Sequence, residues 1–109
     1  MGYLSLGNVY KLFDANAAAA PVASDGYGIH PNDRAKVIVW STKFASAPTA
    51  CSIVLQGSLN GTDWYTLDTS TATAGEIRTT GVTASPWLRA NKASQTGGGA
   101  LTVEVLIAV

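Results

Sequence analysis

Apolar and polar residues alternate with a period of two over much of the last two-thirds of the chain. In Ala50 to Leu59, Cys51, Ile53 and Leu55 point one way while Ser52 and Gln56 point the other. Strict alternation of this kind marks a half-buried strand. In Ala100 to Val109, Leu101, Val103, Val105 and Ile107 share a face opposite Thr102 and Glu104. Leu106 interrupts the polar side, so cover on both faces is expected at that end. Lys36 to Phe44 carries VIVWST, whose β-branched and aromatic residues suit a strand. The Cys51/Ile53/Leu55 face is expected to meet the Leu101/Val103/Val105 face in a common core.

Turn signals separate these runs. Asn60-Gly61 predicts a hairpin with a type I′ turn, and Asp63 to Thr69 returns as its partner strand. Glu76 to Thr80 reads as a short strand near an edge. Pro86, which cannot donate a ladder hydrogen bond, fits the start of a strand over Trp87 to Ala93. Gly97-Gly98-Gly99 is a flexible turn before the final strand. No window keeps a helical period: the alanine run Ala15 to Ala20 is stopped by Pro21 after little more than a turn. Counting strands at the N-terminal end as well gives roughly seven or eight, spaced as in a sandwich or barrel. The expected fold class is therefore all-β, an antiparallel β-sandwich of jelly-roll-like or immunoglobulin-like type, forming one domain over residues 1–109.

The N-terminal quarter admits two readings. Met1 to Asp14 holds Tyr3, Leu4, Leu6, Val9, Tyr10, Leu12 and Phe13, while Ala15 to Gly28 is poor in large side chains. These residues are either early strands followed by a long surface loop, or an N-terminal arm and loop (residues 1–28) that packs on a neighbouring subunit or partner.

Composition narrows the function classes. Charged residues are only 13% of the chain, and seven Lys plus Arg balance seven Asp plus Glu. No basic stripe offers a field for phosphates, so nucleic acid is not an expected partner. Apolar runs are strand-sized, far short of the ~20 residues of a membrane helix, and neither a membrane partner nor a secretory signal is expected. Folding in a cytosol follows. Small size and low charge favour association with copies of itself or with a larger partner.

Candidate chemistry is sparse. His30, the sole histidine, precedes Pro31 and Asn32, and reads as a loop residue rather than a base oriented by Asp33. Cys51 sits on the apolar face with no basic neighbour in sequence to activate its thiolate, so packing is its expected role. Asp63, Asp68 and Glu76 are too spread for a calcium loop, and Gly97 to Gly99 lacks the Lys-Ser/Thr of a phosphate loop. No catalytic residue, metal site or cofactor is expected. Trp40, Trp64, Tyr65 and Trp87 are either core and contact residues or a stacking platform for sugar rings. Trp64 and Tyr65, being adjacent, are expected to point to opposite faces.

The series SIVLQGSLNGTDWYTLDTS, GEIRTT, SPWLRANKAS, a glycine turn and LTVEVLI resembles small β-sandwich structural proteins of tailed bacteriophages: head decoration (cement) proteins and related head-fibre or tail components. The S-x-NG-x-x-W portion between two strands also occurs in discoidin-like and carbohydrate-binding sandwiches. The resemblance implies a virion protein made in the host cytoplasm, placed on the capsid surface, bound to the major capsid protein and assembled as a homo-oligomer, a trimer above all. It implies no enzymatic activity. The resemblance places no functional residue; if residues 1–28 form the arm, the partner-binding candidates are Tyr3, Leu4, Leu6 and Tyr10, with Trp64. The alternative is a carbohydrate- or receptor-binding module of a phage tail or fibre.

Overall fold

The computed structural model describes residues 3–5, 7–29, 37–80 and 86–108, with the backbone alone for Tyr3. Ten strands cross them: β1 (Tyr3–Leu4), β2 (Val9–Asn16), β3 (Val22–Ala23), β4 (Tyr27–Ile29), β5 (Val37–Phe44), β6 (Ala50–Ser58), β7 (Tyr65–Ser70), β8 (Glu76–Thr80), β9 (Trp87–Thr96) and β10 (Leu101–Ala108). None of the described residues is helical. One sheet has the order β1-β4-β9-β6-β7, with β3 also on β9, and the other the order β2-β10-β5-β8. Every pairing is antiparallel except that of β1 with β4.

Setting aside the two-residue β1 and β3, the other eight strands pair first with last, second with seventh, third with sixth and fourth with fifth: β2–β10, β4–β9, β5–β8 and β6–β7. This is one long hairpin rolled up on itself, the jelly roll. Of the two sandwich types open at the level of sequence, the chain adopts this one.

The core forms where the alternation places it. Cys51, Ile53 and Leu55 from one sheet meet Leu101, Val103, Val105 and Ile107 from the other, joined by Leu12, Phe13, Ile38, Trp40, Leu88 and Ala90. Glu76–Thr80 is the outer strand of its sheet, and the last long run extends past Ala93 to Thr96.

Two expectations need correction. The Asn60-Gly61 turn is not a two-residue type I′ turn, because only Gly61 has positive φ (77°) and β7 begins at Tyr65. Asn60 instead folds a longer loop with its side chain: its Oδ1 accepts from the Thr62 and Asp63 amides, each at 2.8 Å, and its Nδ2 donates to Asp63 Oδ2 at 2.9 Å. An Asx turn of this kind does the work of backbone hydrogen bonds. The described N-terminal residues, secondly, do not project as an arm. Val9–Asn16 pairs with β10, and Leu4, Leu12 and Phe13 are buried in this chain's own core. Even the expected surface loop is partly structured, as β3 and β4 lie end to end along β9. The apolar surplus of this segment is consumed by closing the roll, since the first strand must cover the last.

Candidate interaction surface

Register fixes what the β2-β10-β5-β8 sheet shows to solvent. With Val105 and Val103 turned to the core, Leu106 and Glu104 face out. Leu106 is flanked by Val9 and Val39, and Val39 in turn by Thr79. In the next row Glu104 is flanked by Lys11 and Ser41, and Ser41 by Ile77. The outer face thus carries a band of Val9, Leu106, Val39 and Ile77 across all four strands. Val9 is 60% and Ile77 75% exposed. These residues line a shallow groove of about 250 Å³. Lys11, Glu104 and Lys43 stand to one side of it, along a second depression. β-branched residues belong in strands whichever way they point, yet a continuous apolar band on the solvent side is a feature of surfaces that meet another molecule.

A second exposed apolar spot lies at the β6–β7 loop. Leu59 is 77% and Tyr65 65% exposed. The loop is stiff. Ser58 Oγ accepts from the amides of Asn60 (3.2 Å) and Gly61 (2.9 Å), and the Trp87 ring lies beneath Gly61, where a Cβ would touch it at 3.4 Å. Trp64 is half-buried. Its ring edge lies against Gly26, with 2.9 Å to a Cβ built there, and the Arg89 guanidinium stacks 4.5 Å from the ring centroid. Arg89 Nε also donates to Gln56 Oε1 at 2.7 Å. Trp64 and Tyr65 therefore do part company: one ring is engaged within the domain while the other stands in solvent.

The acidic residues do not form one group. Asp63 belongs to the Asn60 loop, whereas Asp68 of β7 and Glu76 of β8 converge on Arg78, which closes the gap between the two sheets. Asp68 takes both Arg78 Nε and Nη2 (2.9 and 3.0 Å) and also the buried Trp40 indole N–H at 2.9 Å. Glu76 accepts from Arg78 Nη1 and from Ser70 Oγ. Burial pushes the Asp68 carboxyl up. Hydrogen bonds from Arg78, Trp40 and the Thr69 amide, with the charge of Arg78, outweigh that and hold it below the usual carboxylate range. A carboxylate held ionised by a fork of donors stitches sheets together and is poorly suited to moving protons. Burial, aided by the charge of Glu76, pushes the Cys51 thiol up and away from the thiolate a nucleophile requires. Among the described residues no group of three or more His, Cys, Asp and Glu is placed to hold a metal ion.

Of the residues expected to bind a partner, Leu4 is wholly buried and unavailable on the folded domain. Tyr10 is half-buried against the core, its hydroxyl accepting from the Ser5 amide at 3.3 Å. Leu6 and the side chain of Tyr3 lie outside the described residues, as do His30 and Asp33. The band that the structure does bring together was missed, though one of its members, Leu106, broke the polar phase of its strand. Strand neighbours come from distant parts of the chain, so the band appears only when register is known.

No protein-family model matches the chain, and no curated protein matches it in sequence. Its fold is shared by solved structures. The SPBc2 prophage-derived protein YomS superposes with a TM-score of 0.65 over 92% of both chains at 12% identity. The Yersinia pseudotuberculosis-derived mitogen superposes with a TM-score of 0.58 over 92% of this chain and 86% of that one at 8% identity. The chain is thus similar in fold, over nearly its whole length, to one protein of prophage origin and one bacterial mitogen.

Proposed function

We propose that this chain is a structural protein of a bacteriophage virion, and within that class a head decoration protein that sits on the capsid surface and acts by burial rather than by catalysis. The observation that carries the reading is the apolar band of Val9, Leu106, Val39 and Ile77 on the outside of a sheet whose other face already has its core. The fold likeness to a prophage-derived protein supports the class, and the 13% charge content leaves little hydration to strip when the face is covered.

The size of the band sets the mode of binding. It exposes on the order of a few hundred Å², against roughly 800 Å² per partner in a standard stable interface. At about 25 cal/mol per Å² the gain is on the order of 7 kcal/mol, comparable to the estimated 4–15 kcal/mol lost in freedom of motion. One copy alone would bind weakly. Joined copies, a homotrimer above all, would hold together on a repeating lattice of the major capsid protein, because each further contact is intramolecular.

The test is to mix the purified protein with undecorated heads assembled from the major capsid protein of its own phage, and to repeat this with a Val39→Lys, Ile77→Lys double variant. Stoichiometric binding by the unsubstituted chain, lost in the folded variant, is expected. Equal head binding by both would remove the band from the mechanism. Glycan binding with no affinity for heads would overturn the decoration reading and favour a receptor-binding module of a tail or fibre, for which Tyr65 and Trp64 offer the exposed and half-exposed rings.

A further inference from the structure

The least expected residue of the core is Lys92. It is in phase with Leu88 and Ala90 on the inner face of β9 and only 2% exposed. Its Nζ donates to Asn16 O (3.1 Å), Asn16 Oδ1 (3.0 Å) and Ala18 O (2.9 Å), all neutral oxygens. None of the three ion pairs formed by the described lysines and arginines involves it: these are Lys11 with Asp14, Arg78 with Asp68 and Arg78 with Glu76. A charge withdrawn from water without a counter-charge is costly even when fully hydrogen-bonded. Burial pulls the pKa of this ammonium down.

Lys92 is not sealed in. It lines a cavity of about 280 Å³ walled by the 17–20 strap and the 97–100 turn. The strap leaves β2 through a bend at Ala15 (φ 49°). Gln95 lines the same cavity. Its Nε2 donates to Gly97 O (3.0 Å) and Gly99 O (2.8 Å), which fixes the amide, while its Oε1 is buried without a hydrogen-bond partner among the described residues. The cavity lining therefore includes a cation with no counter-charge among the described residues and a glutamine whose buried Oε1 has no partner among them, and the alanine and glycine lining lets a ligand's backbone come close.

We propose that this cavity is a socket for a carboxylate that carries its own N–H or O–H donor, the carboxylate on Lys92 Nζ and the donor on Gln95 Oε1. An entering carboxylate exchanges with Ala18 O, which lies on the strap rather than in a strand, and replaces a neutral hydrogen bond by a charge-assisted one. A single amino-acid residue of acidic type has both groups, and so does a small hydroxy acid. The volume falls just below the roughly 300–1,000 Å³ typical of ligand sites, which limits the occupant to about that size. This inference is independent of the virion reading.

The test is an NMR titration of the full chain, following the Lys92 Nζ signals, with four probes. These are N-acetyl-glutamate methylamide, its glutamine counterpart, lactate and acetate. The blocked glutamate or lactate should bind about tenfold or more tightly than the glutamine form and acetate, as one charge-assisted hydrogen bond warrants. Preference for the blocked glutamate points to an acidic residue of another polypeptide, and preference for lactate to a free acid; either supports the socket. Lys92→Met should bring glutamate and glutamine to equal affinity, read from the backbone amides around 95–99. Equal affinity of the unsubstituted chain for glutamate and glutamine forms, acetate as tight as lactate and the blocked glutamate, or no saturable binding would each overturn the proposal.

Discussion

Leu55→Ala probes whether the two sheets are held by the core described above. Leu55 is fully buried at the middle of β6, between β7 and β9, and faces the β10 side chains across the sandwich. The substitution deletes three carbons. At about 0.8 kcal/mol per buried methylene the transfer loss is on the order of 2.4 kcal/mol. A residual cavity of up to ~80 Å³, at about 24 cal/mol per Å³, adds up to ~2 kcal/mol where the strands cannot close in. Strands locked in register on both sides collapse poorly, so the expected loss is about 3–4 kcal/mol, a large part of the roughly 5–15 kcal/mol typical of a domain. Urea unfolding followed by tryptophan fluorescence measures it, with a fall in midpoint at unchanged slope. Leu59→Ala is the control, since the same side chain four positions on stands in solvent and should change stability by less than about 0.5 kcal/mol. A Leu55→Ala loss below half a kcal/mol, or one equalled by Leu59→Ala, would refute the core assignment.

Other consequences are equally direct. Because the Asp68 carboxyl is held below its usual value, the stability it supplies is complete above about pH 4 and drains as pH falls through the lowered folded value. The urea midpoints of the unsubstituted chain and Asp68→Asn should therefore converge below pH 4. Lys92 has the opposite sign. Its folded pKa is lowered, so between that value and about 10.4 the unfolded chain binds more protons and stability rises with pH. Relative to Lys92→Met, the unsubstituted chain should gain stability from pH 7 to pH 10; a flat difference would contradict a buried ammonium. Gly75→Ala should cost more than about 1 kcal/mol by thermal melting, as Gly75 has φ 78° and an added Cβ would overlap the Thr42 carbonyl oxygen. Asn60→Ala should cost about 1–2 kcal/mol and raise hydrogen exchange of the Thr62 and Asp63 amides, whose acceptor it removes.

Strands were legible where one face is buried and the other wet. Ala50–Leu59, Glu76–Thr80 and Ala100–Val109 declare themselves because alternation is a local consequence of burial. The pairing order was not legible, because it joins Val9 to Leu106 and Tyr27 to Leu88, and no local window contains both members. Asn60-Gly61 misled in detail, since the same residues serve a tight turn through backbone φ or a wider one through the asparagine side chain. Lys92 shares the inward phase of Leu88 and Ala90, but nothing in the sequence singled it out as a core residue. A long charged residue in an inward position is ordinarily read as the end of burial, and only the carbonyls of the strap, supplied from the other end of the chain, make it tolerable there. The outer band was hidden for a related reason, as Val9, Val39, Ile77 and Leu106 are unremarkable singly and contiguous only across four strands.

The rolled pairing also dictates when this domain can exist during its synthesis. β10 lies between β2 and β5, and it is the last of the ten strands to be synthesised. Until then β2 and β5 have no neighbour between them, β8 has only β5, and one whole layer of the sandwich is unassembled. The nascent chain must therefore wait with its apolar strands uncovered and then close almost at once, with little opportunity for stepwise, domain-like growth from the N-terminus. Non-local closure of this kind is slow and leaves strand edges open meanwhile. Yield of native protein should respond to chaperone supply and to translation speed over the codons of β10, and a premature stop before Leu101 should produce aggregate rather than a smaller folded core.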